Sequence, residues 1–356
     1  LRDALGKALQ GHYSKPWRQA AAPRSVENNR LRELSPEEAL RAMLEGQGLL
    51  VVGAPGTGKT HWLRNAIASL RQEGKRVEIV AKTHAAVQNI GCEAKTADHW
   101  VRKHVRAGGV HCHTLVVEEL TQINVQLWSD LALCRLKGVS FVCAGDFGQF
   151  APICEHWCGC PVPEGALENS DMLWEMCGGN RLTLTENMRS DVRLFEAYTN
   201  LGENLQEALE QTRQRFPTTD RPARYTLTIS HKTRIQINRQ RNMQDAESWD
   251  SVFLKAPKET RGGNQPQDMI LWKGLQLLGA GHRCLKGLFY EVEEVTEEMV
   301  RLTNGLVLTH EQAVQSLRLC YALTYASCQG LTLPGVVRLD TRSDHFTLKH
   351  LYVGLS

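Results

Sequence analysis

The stretch LLVVGAPGTGKT at residues 49–60 decides the fold of this chain. Residues 49–52 form a continuous apolar run, which is typical of a parallel strand buried on both faces. Residues 53–60 fit the pattern G-x-x-x-x-G-K-[ST], in which glycines let the backbone curl until its N–H groups point at an anion. Residues 61–70 then predict a helix whose positive N-terminal end faces the same anion. The stretch therefore predicts a phosphate loop that binds a nucleoside triphosphate.

The two side chains that end this loop have different predicted roles. Lys59 supplies a point charge for the β- and γ-phosphates, and the Thr60 hydroxyl is placed to ligate Mg²⁺. The whole loop is predicted to contact the nucleotide: Gly53, Ala54, Pro55, Gly56, Thr57, Gly58, Lys59 and Thr60.

Composition sets the limits of the interpretation. The chain has 356 residues, enough for two or three domains, with ordinary globular contents of 42% hydrophobic and 23% charged residues. It has no apolar run of membrane-span length and no signal-peptide pattern, so we expect no membrane partner. The 11 cysteines are scattered, which favours a reducing intracellular compartment, cytoplasm or nucleus. A net charge of +3 is too small by itself to indicate nucleic acid.

An acidic pair follows a second apolar strand. Residues 114–119 predict a strand that ends in Glu118 and Glu119, which is what a phosphate loop requires as its partner. Glu118 is expected to hold Mg²⁺, and Glu119 is expected to orient and deprotonate the attacking water. A third apolar run, 139–144, precedes Gln149, which is placed to sense the γ-phosphate or to position the water.

Polar residues follow the carboxyl ends of two further predicted strands. Thr83 and His84 come after the strand predicted at 77–81, at the strand end where α/β sheets bind ligands. We expect both to contact a nucleic-acid backbone, although Thr83 also suits a plain helix cap. His231 and Lys232 repeat this arrangement after the strand at 225–230, and the repetition indicates a second sheet domain.

Other segments carry single predictions. Trp100 suits stacking on a base or burial in the core. Arg189 follows a short strand and is placed to stabilise charge on the γ-phosphate, and residues 191–209 predict a helix. Residues 34–44 predict a helix capped by Ser35, with Glu38 completing a capping box.

Two stretches remain ambiguous from the residues alone. Residues 1–33 are basic and suit either an arm along a phosphate backbone or a solvated linker. Cysteine and histidine residues cluster at 154–160, and a second group lies at 111–113. The spacing departs from paired C-x-x-C motifs, and the two groups are expected at opposite ends of a parallel sheet, so a shared zinc site is disfavoured.

The ordered motifs together resemble superfamily 1 helicases of subgroup B, the RecD/Pif type, over about residues 34–356. The resemblance rests on GAPGTGKT at 53–60, KTHAA at 82–86, the pair at 118–119, GDFGQ at 145–149, ENMR at 186–189, the segment 324–332 and YVGLS at 352–356. It implies an α/β fold with two tandem RecA-like P-loop domains that have parallel sheets, plus a small β-rich insertion in the second. The expected domains are 34–185, with a short insertion near 94–113, and 186–356, with the β-rich insertion at about 249–308.

The resemblance also implies a function. It implies an ATP-dependent helicase or translocase on single-stranded nucleic acid, moving 5′ to 3′ on DNA, with ATP and Mg²⁺ as cofactors. Glu38, Gln329 and Gly330 fall at positions that contact nucleotide in the family. An RNA helicase and a nucleotide-gated binding module with weak hydrolysis remain as alternatives, and additional domains or replication proteins are expected partners.

Three departures from the family pattern bear on these expectations. Glu38 stands where the family usually has the Gln that reads adenine, which weakens the preference for ATP. Ser327, Cys328 and Gln329 stand where family members tend to have Lys-Ser-Gln, which removes a cation near the phosphates or the nucleic acid. The sequence stops at Ser356, one residue before the family's second arginine finger, so we expect the natural protein to continue.

Overall fold

The structure is a computed structural model, and it describes residues 31–152, 156–219, 221–257 and 265–356. The expected basic arm lies almost wholly outside these ranges. The chain divides into two compact units. The first has the described residues up to Lys82 together with Ala86–Thr199 and Ser356, and the second has Thr83–Ala85 and Asn200–Leu355.

The first unit is built on a seven-stranded parallel sheet in the order β1-β9-β2-β6-β5-β3-β4. A separate two-stranded hairpin contains β7 and β8. The strands are β1 (Arg32–Glu33), β2 (Leu49–Gly53), β3 (Val77–Ala81), β4 (Lys95–Thr96), β5 (Thr114–Glu118), β6 (Ser140–Gly145), β7 (His156–Trp157), β8 (Cys160–Pro161) and β9 (Asn180–Leu184).

The continuous apolar strands are buried on both faces, as predicted. Successive side chains of a strand point to opposite faces, so Leu50 packs in one apolar core while Leu49 and Val51 pack in the other. In β5, Val117 and Val116 are divided between the same two cores. Burial on both faces explains why these strands read as unbroken apolar runs instead of alternating ones.

Helices cover both faces of this sheet. The predicted capping box is confirmed, because Ser35 Oγ accepts from the Glu38 N–H and the Glu38 carboxylate accepts from the Ser35 N–H. The helices are α1 (Pro36–Leu44), α2 (Lys59–Gln72), α3 (His84–Ile90), α4 (Ala97–Trp100), α5 (Val125–Ala132), α6 (Asp171–Met176) and α7 (Val192–Thr199), with a π-helical turn at Val101–Val105 and 3₁₀ turns at Leu120–Gln122 and Leu133–Lys137.

The second unit contains a three-stranded parallel sheet, β18-β10-β19, and the expected antiparallel sheet, β16-β15-β14-β13-β17. A two-stranded sheet pairs β11 with β12. Its elements are α8 (Leu205–Arg215), β10 (Tyr225–Thr228), α9 (His231–Ala246), β11 (Val252–Leu254), β12 (Met269–Leu271), β13 (Gln276–Gly279), β14 (Phe289–Val295), β15 (Met299–Leu302), β16 (Val307–Thr309), α10 (His310–Ser316), β17 (Leu317–Leu319), β18 (Ala322–Thr324), β19 (Val337–Leu339) and α11 (Leu348–Leu355).

One predicted helix was wrong in its extent. The continuous helix expected over 191–209 is two helices, α7 and α8, separated by residues 200–204. Gly202 has φ +69°, and the Asn204 side chain accepts from the N–H groups of Gln206 and Glu207. The break therefore contains a glycine in the left-handed conformation, and an asparagine cap starts the next helix.

Among the helices that the structure describes, none has the length and apolar character needed to cross a membrane.

Candidate nucleotide site

Four loops meet at the carboxyl edge of the first sheet. Because the strands are parallel, the ends of β2, β5, β6 and β9 lie at the same edge. They lead into the phosphate loop, the acidic pair, the 145–149 turn and the arginine-bearing segment at 186–190. The parallel pairing of β5 with β6, and of β2 with β6 and β9, brings these four loops together.

Lys59 begins α2 and folds back over its own loop. Its Nζ lies 2.7 Å from the Gly53 carbonyl oxygen and 2.9 Å from that of Ala54. Burial lowers the pKa of Lys59, and the nearby charges of Asp146 and Glu118 oppose that shift. The ammonium therefore sits in a desolvated position among carboxylates, where a polyphosphate would gain most from it.

The loop backbone has the conformation that its glycines predict. Gly58, the N-cap of α2, has φ +81°, in the left-handed region that disfavours side chains. Gly53 is constrained by close approach instead, since a Cβ there would lie 2.5 Å from both the Leu184 carbonyl oxygen and Thr57 Oγ1.

Thr60, in the first turn of α2, contacts Glu118, the last residue of β5. Thr60 Oγ1 donates a hydrogen bond of 2.9 Å to Glu118 Oε1. Glu118 is buried, and its Oε2 has no hydrogen-bond partner among the residues that the structure describes. A hydroxyl and a carboxylate oxygen are the ligands that Mg²⁺ takes beside phosphates and waters, so this pair fits the predicted Mg²⁺ site.

A pH dependence of stability follows from Glu118. Burial raises the pKa of Glu118, and the Thr60 hydrogen bond and the Lys59 charge offset this only in part. The native protein then holds this proton more tightly than the unfolded chain, so the free energy of unfolding falls as pH rises through the interval between the two pKa values.

We expect Glu118→Gln to remove this fall in nucleotide-free protein. The variant should gain stability relative to the unsubstituted protein as pH rises from 5 to 8, measured by urea unfolding in the presence of EDTA. Glu168→Gln, at an exposed position of the same unit, serves as the control and should keep the original slope. Parallel slopes for all three proteins would contradict the assignment.

Glu119 has an unusual backbone conformation. Its φ is +52° and its ψ +45°, in the left-handed region, at the start of the Leu120–Gln122 turn. Such a conformation is uncommon for a residue other than glycine and costs on the order of 1 kcal/mol or more. Its charge also raises the pKa of Lys59, so the carboxylate lies near the phosphate loop. Strained backbone of this kind concentrates at functional sites.

The turn after β6 places Asp146 and Gln149 at the same edge. Asp146 is buried and accepts a hydrogen bond of 2.9 Å from the Gly148 N–H. Gln149 is half-buried and closes this turn through its N–H. Asp146 was not among the predicted site residues, although its position in GDFGQ and its effect on Lys59 include it in the site.

The arginine-bearing segment contacts the phosphate loop directly. The Met188 N–H donates a hydrogen bond of 2.8 Å to the Gly56 carbonyl. Asn187 Oδ1 accepts from the N–H groups of Arg189 and Ser190, which shapes the turn. Arg189 is exposed, and its charge lowers the pKa of Lys59. The guanidinium therefore lies near the place where the γ-phosphate is expected.

Glu38 is engaged in local structure. One carboxylate oxygen completes the α1 capping box, and the other lies 3.5 Å from Arg32 Nη2. Both oxygens are acceptors, so Glu38 cannot offer the donor that an amide would present to an adenine ring nitrogen. Its role in nucleotide contact stays a prediction.

The predicted nucleic-acid residues separate into two groups. Thr83 and His84 are half-buried at the end of β3, and His231 and Lys232 are exposed at the start of α9, after its N-cap Ser230. These four stay predictions. Trp100 requires a correction.

Trp100 is part of the first unit's core. It is 1% exposed, and its Nε1–H donates to Glu78 Oε2 at 3.3 Å. A ring with no exposed face cannot stack on a base. The stacking prediction for Trp100 is therefore wrong, and burial in the core, the second option, is correct.

The late motif lies in the second unit. Gln329 and Gly330 are half-buried, and Gly330 has φ +77°. Cys328 is buried, its Sγ contacts the Tyr325 carbonyl oxygen at 3.1 Å, and burial raises its pKa to about 12. The family's Lys falls at Ser327, which is exposed, so burial does not account for its absence here.

The described part of the cysteine cluster forms a short hairpin. His156–Trp157 and Cys160–Pro161 pair as a hairpin whose two turn residues, Cys158 and Gly159, have φ +51° and +82°. That pair of angles is what a two-residue hairpin turn requires. Among the described residues no three His, Cys, Asp or Glu side chains could hold a metal ion, and Cys154 lies outside them.

The fold and the site define the class: a P-loop protein with two tandem RecA-like units and an antiparallel insertion in the second. The family model described as an AAA domain matches residues 35–156. The human ATP-dependent DNA helicase PIF1 is 28% identical over 189 residues, which cover 46% of this chain and 28% of the human protein. The ATP-dependent DNA helicase PIF5 of Trypanosoma brucei brucei is 30% identical over 151 residues, which cover 35% of this chain and 16% of that protein. The chain spans less than a third of the length of these curated relatives.

Solved structures share the fold along most of the chain. Pif1 helicase from Candida albicans has a TM-score of 0.63 at 20% identity, covering 90% of this chain and 91% of that one. Bacteroides Pif1 bound to single-stranded DNA has a TM-score of 0.57 at 15% identity, covering 90% and 88%. The resemblance to superfamily 1 helicases of the RecD/Pif type is thus confirmed, and within that type the chain has the Pif1 helicase fold.

Proposed function

We propose that this protein is an ATP-dependent DNA helicase or translocase that hydrolyses ATP at the candidate nucleotide site. The observation that carries the proposal is the set of side chains at one edge of the first sheet: Lys59 in the phosphate loop, Thr60 bonded to the buried Glu118, and Arg189 on a segment bonded to the same loop. These supply the cations for the phosphates and the metal ligand pair that phosphoryl transfer to water requires, and the adjacent Glu119 is the proposed base.

The roles follow from the chemistry of each group. Lys59 exchanges the carbonyls of its own loop for phosphate oxygens, which relieves its desolvation. Thr60 and Glu118 would hold Mg²⁺, which when bound neutralises charge on the β- and γ-phosphates. Glu119 accepts the proton of the attacking water, Gln149 orients that water, and Arg189 stabilises charge on the γ-phosphate in the transition state.

Single-stranded DNA is the proposed track. Bacteroides Pif1 has been crystallised with single-stranded DNA, and also with ADP-AlF3 and single-stranded DNA. Here the strand would meet Thr83, His84, His231 and Lys232, which lie at strand ends or helix starts as phosphate contacts do. Movement from 5′ to 3′ is part of the proposal by analogy with the family.

Steady-state ATPase activity with and without a single-stranded DNA homopolymer tests this function. We expect turnover to rise strongly with DNA. An RNA homopolymer is the comparison arm, because no residue of the site is identified as a reader of the 2′-hydroxyl. Equal turnover with and without DNA, or stimulation by RNA alone, would refute the DNA assignment.

Arg189→Ala tests the transition-state role. Arginines that stabilise a transferring phosphoryl group have large effects on rate and small effects on binding, so we expect kcat to fall roughly 100-fold or more. ADP affinity should change less than about threefold, because ADP lacks the γ-phosphate that Arg189 is proposed to contact.

Arg189→Lys is the matched comparison for that variant. It keeps the charge but loses the planar fork, and its kcat should lie between those of the alanine variant and the unsubstituted protein. Equal losses in kcat and in ADP affinity would show that Arg189 is a general binding residue.

A further inference from the structure

A buried tyrosine of α7 makes a hydrogen bond to the backbone of the phosphate loop. Tyr198 is 2% exposed, and its hydroxyl donates a hydrogen bond of 2.7 Å to the Pro55 carbonyl. The next carbonyl along the loop, that of Gly56, accepts the 2.8 Å hydrogen bond from Met188. Two consecutive carbonyls of the loop are thus held by α7 and by the segment that carries Arg189.

Tyr198 also makes a hydrogen bond with Ser190, and the single hydrogen of the tyrosine hydroxyl determines which of the two residues donates it. Tyr198 has one hydroxyl hydrogen, and a carbonyl can only accept, so that hydrogen goes to Pro55. The contact of 3.2 Å between Ser190 Oγ and the Tyr198 oxygen is then donated by Ser190. Burial raises the pKa of Tyr198, which keeps the donor protonated. Ser190 directly follows Arg189, so a relay connects the arginine-bearing segment to the loop.

The close approach at this point depends on Gly56. A Cβ on Gly56 would lie 3.1 Å from Ser190 Oγ, 3.5 Å from the Tyr198 oxygen and 3.6 Å from Arg189 Cβ. The residue also has φ +81°, which side chains disfavour. A side chain at position 56 would therefore crowd the arginine-bearing segment, and glycine allows the close approach.

Peptide geometry transmits the effect of Tyr198 to the phosphate side of the loop. The Pro55 carbonyl and the Gly56 N–H belong to one planar trans peptide and point in opposite directions. By holding the carbonyl, Tyr198 fixes the direction of that N–H, one of the donors that a phosphate loop offers to phosphate oxygens. Donors that are fixed before the reaction stabilise transition-state charge most effectively.

We propose that Tyr198 is a positioning residue for ATP hydrolysis, which holds the phosphate loop and Arg189 in one arrangement through Pro55 and Ser190. This inference rests on the proposed function, because it assigns a role within the same site. Tyr198 acts through the groups that it holds, so its removal should affect the transition state more than the binding of ADP.

Tyr198→Phe tests the proposal by deleting one oxygen. We expect kcat to fall about tenfold, the effect of about one lost hydrogen bond expressed in the transition state. Affinity for ADP with aluminium fluoride, a mimic of the transferring phosphoryl group, should fall by a similar factor, and affinity for ADP alone by less than about twofold. In an Arg189→Ala background the further loss of kcat should shrink to less than about threefold, because only the effect that Tyr198 exerts through the Gly56 N–H then remains.

Tyr225→Phe is the matched control. Tyr225 is 1% exposed, and its hydroxyl donates a 2.7 Å bond to Gln276 Oε1 in the second unit. The control should lower thermal stability as much as Tyr198→Phe does while leaving kcat unchanged. An unchanged kcat in Tyr198→Phe, or an equal loss with and without Arg189, would overturn the proposal.

The measurements of nucleotide affinity distinguish a failure of this inference from a failure of the proposed function. If the unsubstituted protein fails to hydrolyse ATP, the proposed function fails. The affinity ratio between ADP with aluminium fluoride and ADP alone then still tests Tyr198, and a ratio equal to that of the unsubstituted protein overturns the inference.

Discussion

Lys59→Ala should lower kcat/KM for ATP roughly 100- to 1,000-fold, the range found when one preorganised donor is removed from a charged transition state. The structure gives the reason in detail. Nζ sits within 2.9 Å of two carbonyl oxygens of the loop and near the carboxylates of Asp146 and Glu118. Alanine removes the cation, and the carboxylates then repel the incoming triphosphate instead of being balanced.

Lys95→Ala is the control for this experiment. Lys95 is also half-buried, and its Nζ lies 2.8 Å from Glu78 Oε2. The variant loses a half-buried lysine of the same unit together with its ion pair, away from the phosphate loop, so its turnover should stay within about twofold of the original. Steady-state ATPase rates and the binding of a fluorescent nucleotide measure both variants. Turnover that survives Lys59→Ala would remove the central claim about the site.

Glu119→Gln should lower kcat roughly 100- to 10,000-fold while nucleotide binding is retained, the range expected for loss of a general base. Gln keeps the size of the side chain and loses only its ability to accept the proton of water. Glu118 is a poor candidate for the base, because it is buried and already accepts from Thr60 at 2.9 Å. A single-turnover measurement with ATP prebound separates the chemical step from binding.

Glu93→Gln is matched to that variant in both chemistry and backbone. Glu93 has φ +64° against +52° for Glu119, so each substitution places Gln in the left-handed region. Glu93 is exposed and follows α3, away from the β5 loop. An unchanged rate in Glu93→Gln therefore assigns the loss in Glu119→Gln to its carboxylate and not to strain. Full turnover in Glu119→Gln would transfer the role of base to another group.

The predictions that succeeded rest on local chemistry. The phosphate loop, its strand and its helix follow from glycine spacing and an apolar run, and the α1 cap follows from Ser35, Pro36 and Glu38. The strand at 114–118 was read correctly for the same reason, since burial on both faces leaves a continuous apolar pattern.

The predictions that failed or were missed rest on contacts distant in sequence. Trp100 is a core residue because its ring packs in one of the two apolar cores of the first sheet. Its N–H donates a hydrogen bond to Glu78, 22 positions away. The broken helix at 200–204 was missed because its residues are mostly compatible with a helix and the break depends on one glycine and one cap. The left-handed conformation of Glu119 has no signature in the residue itself.

The sequence by itself determined the phosphate loop, the order of the α/β units and the resemblance to superfamily 1 helicases, because backbone curvature and strand burial are encoded by neighbouring residues. Only the tertiary structure decided which side chains meet at the carboxyl edge of the first sheet. Tyr198 lies 143 positions from Pro55, and Glu118 lies 58 from Thr60. Parallel register brings these groups within hydrogen-bond distance, and no local pattern records that register.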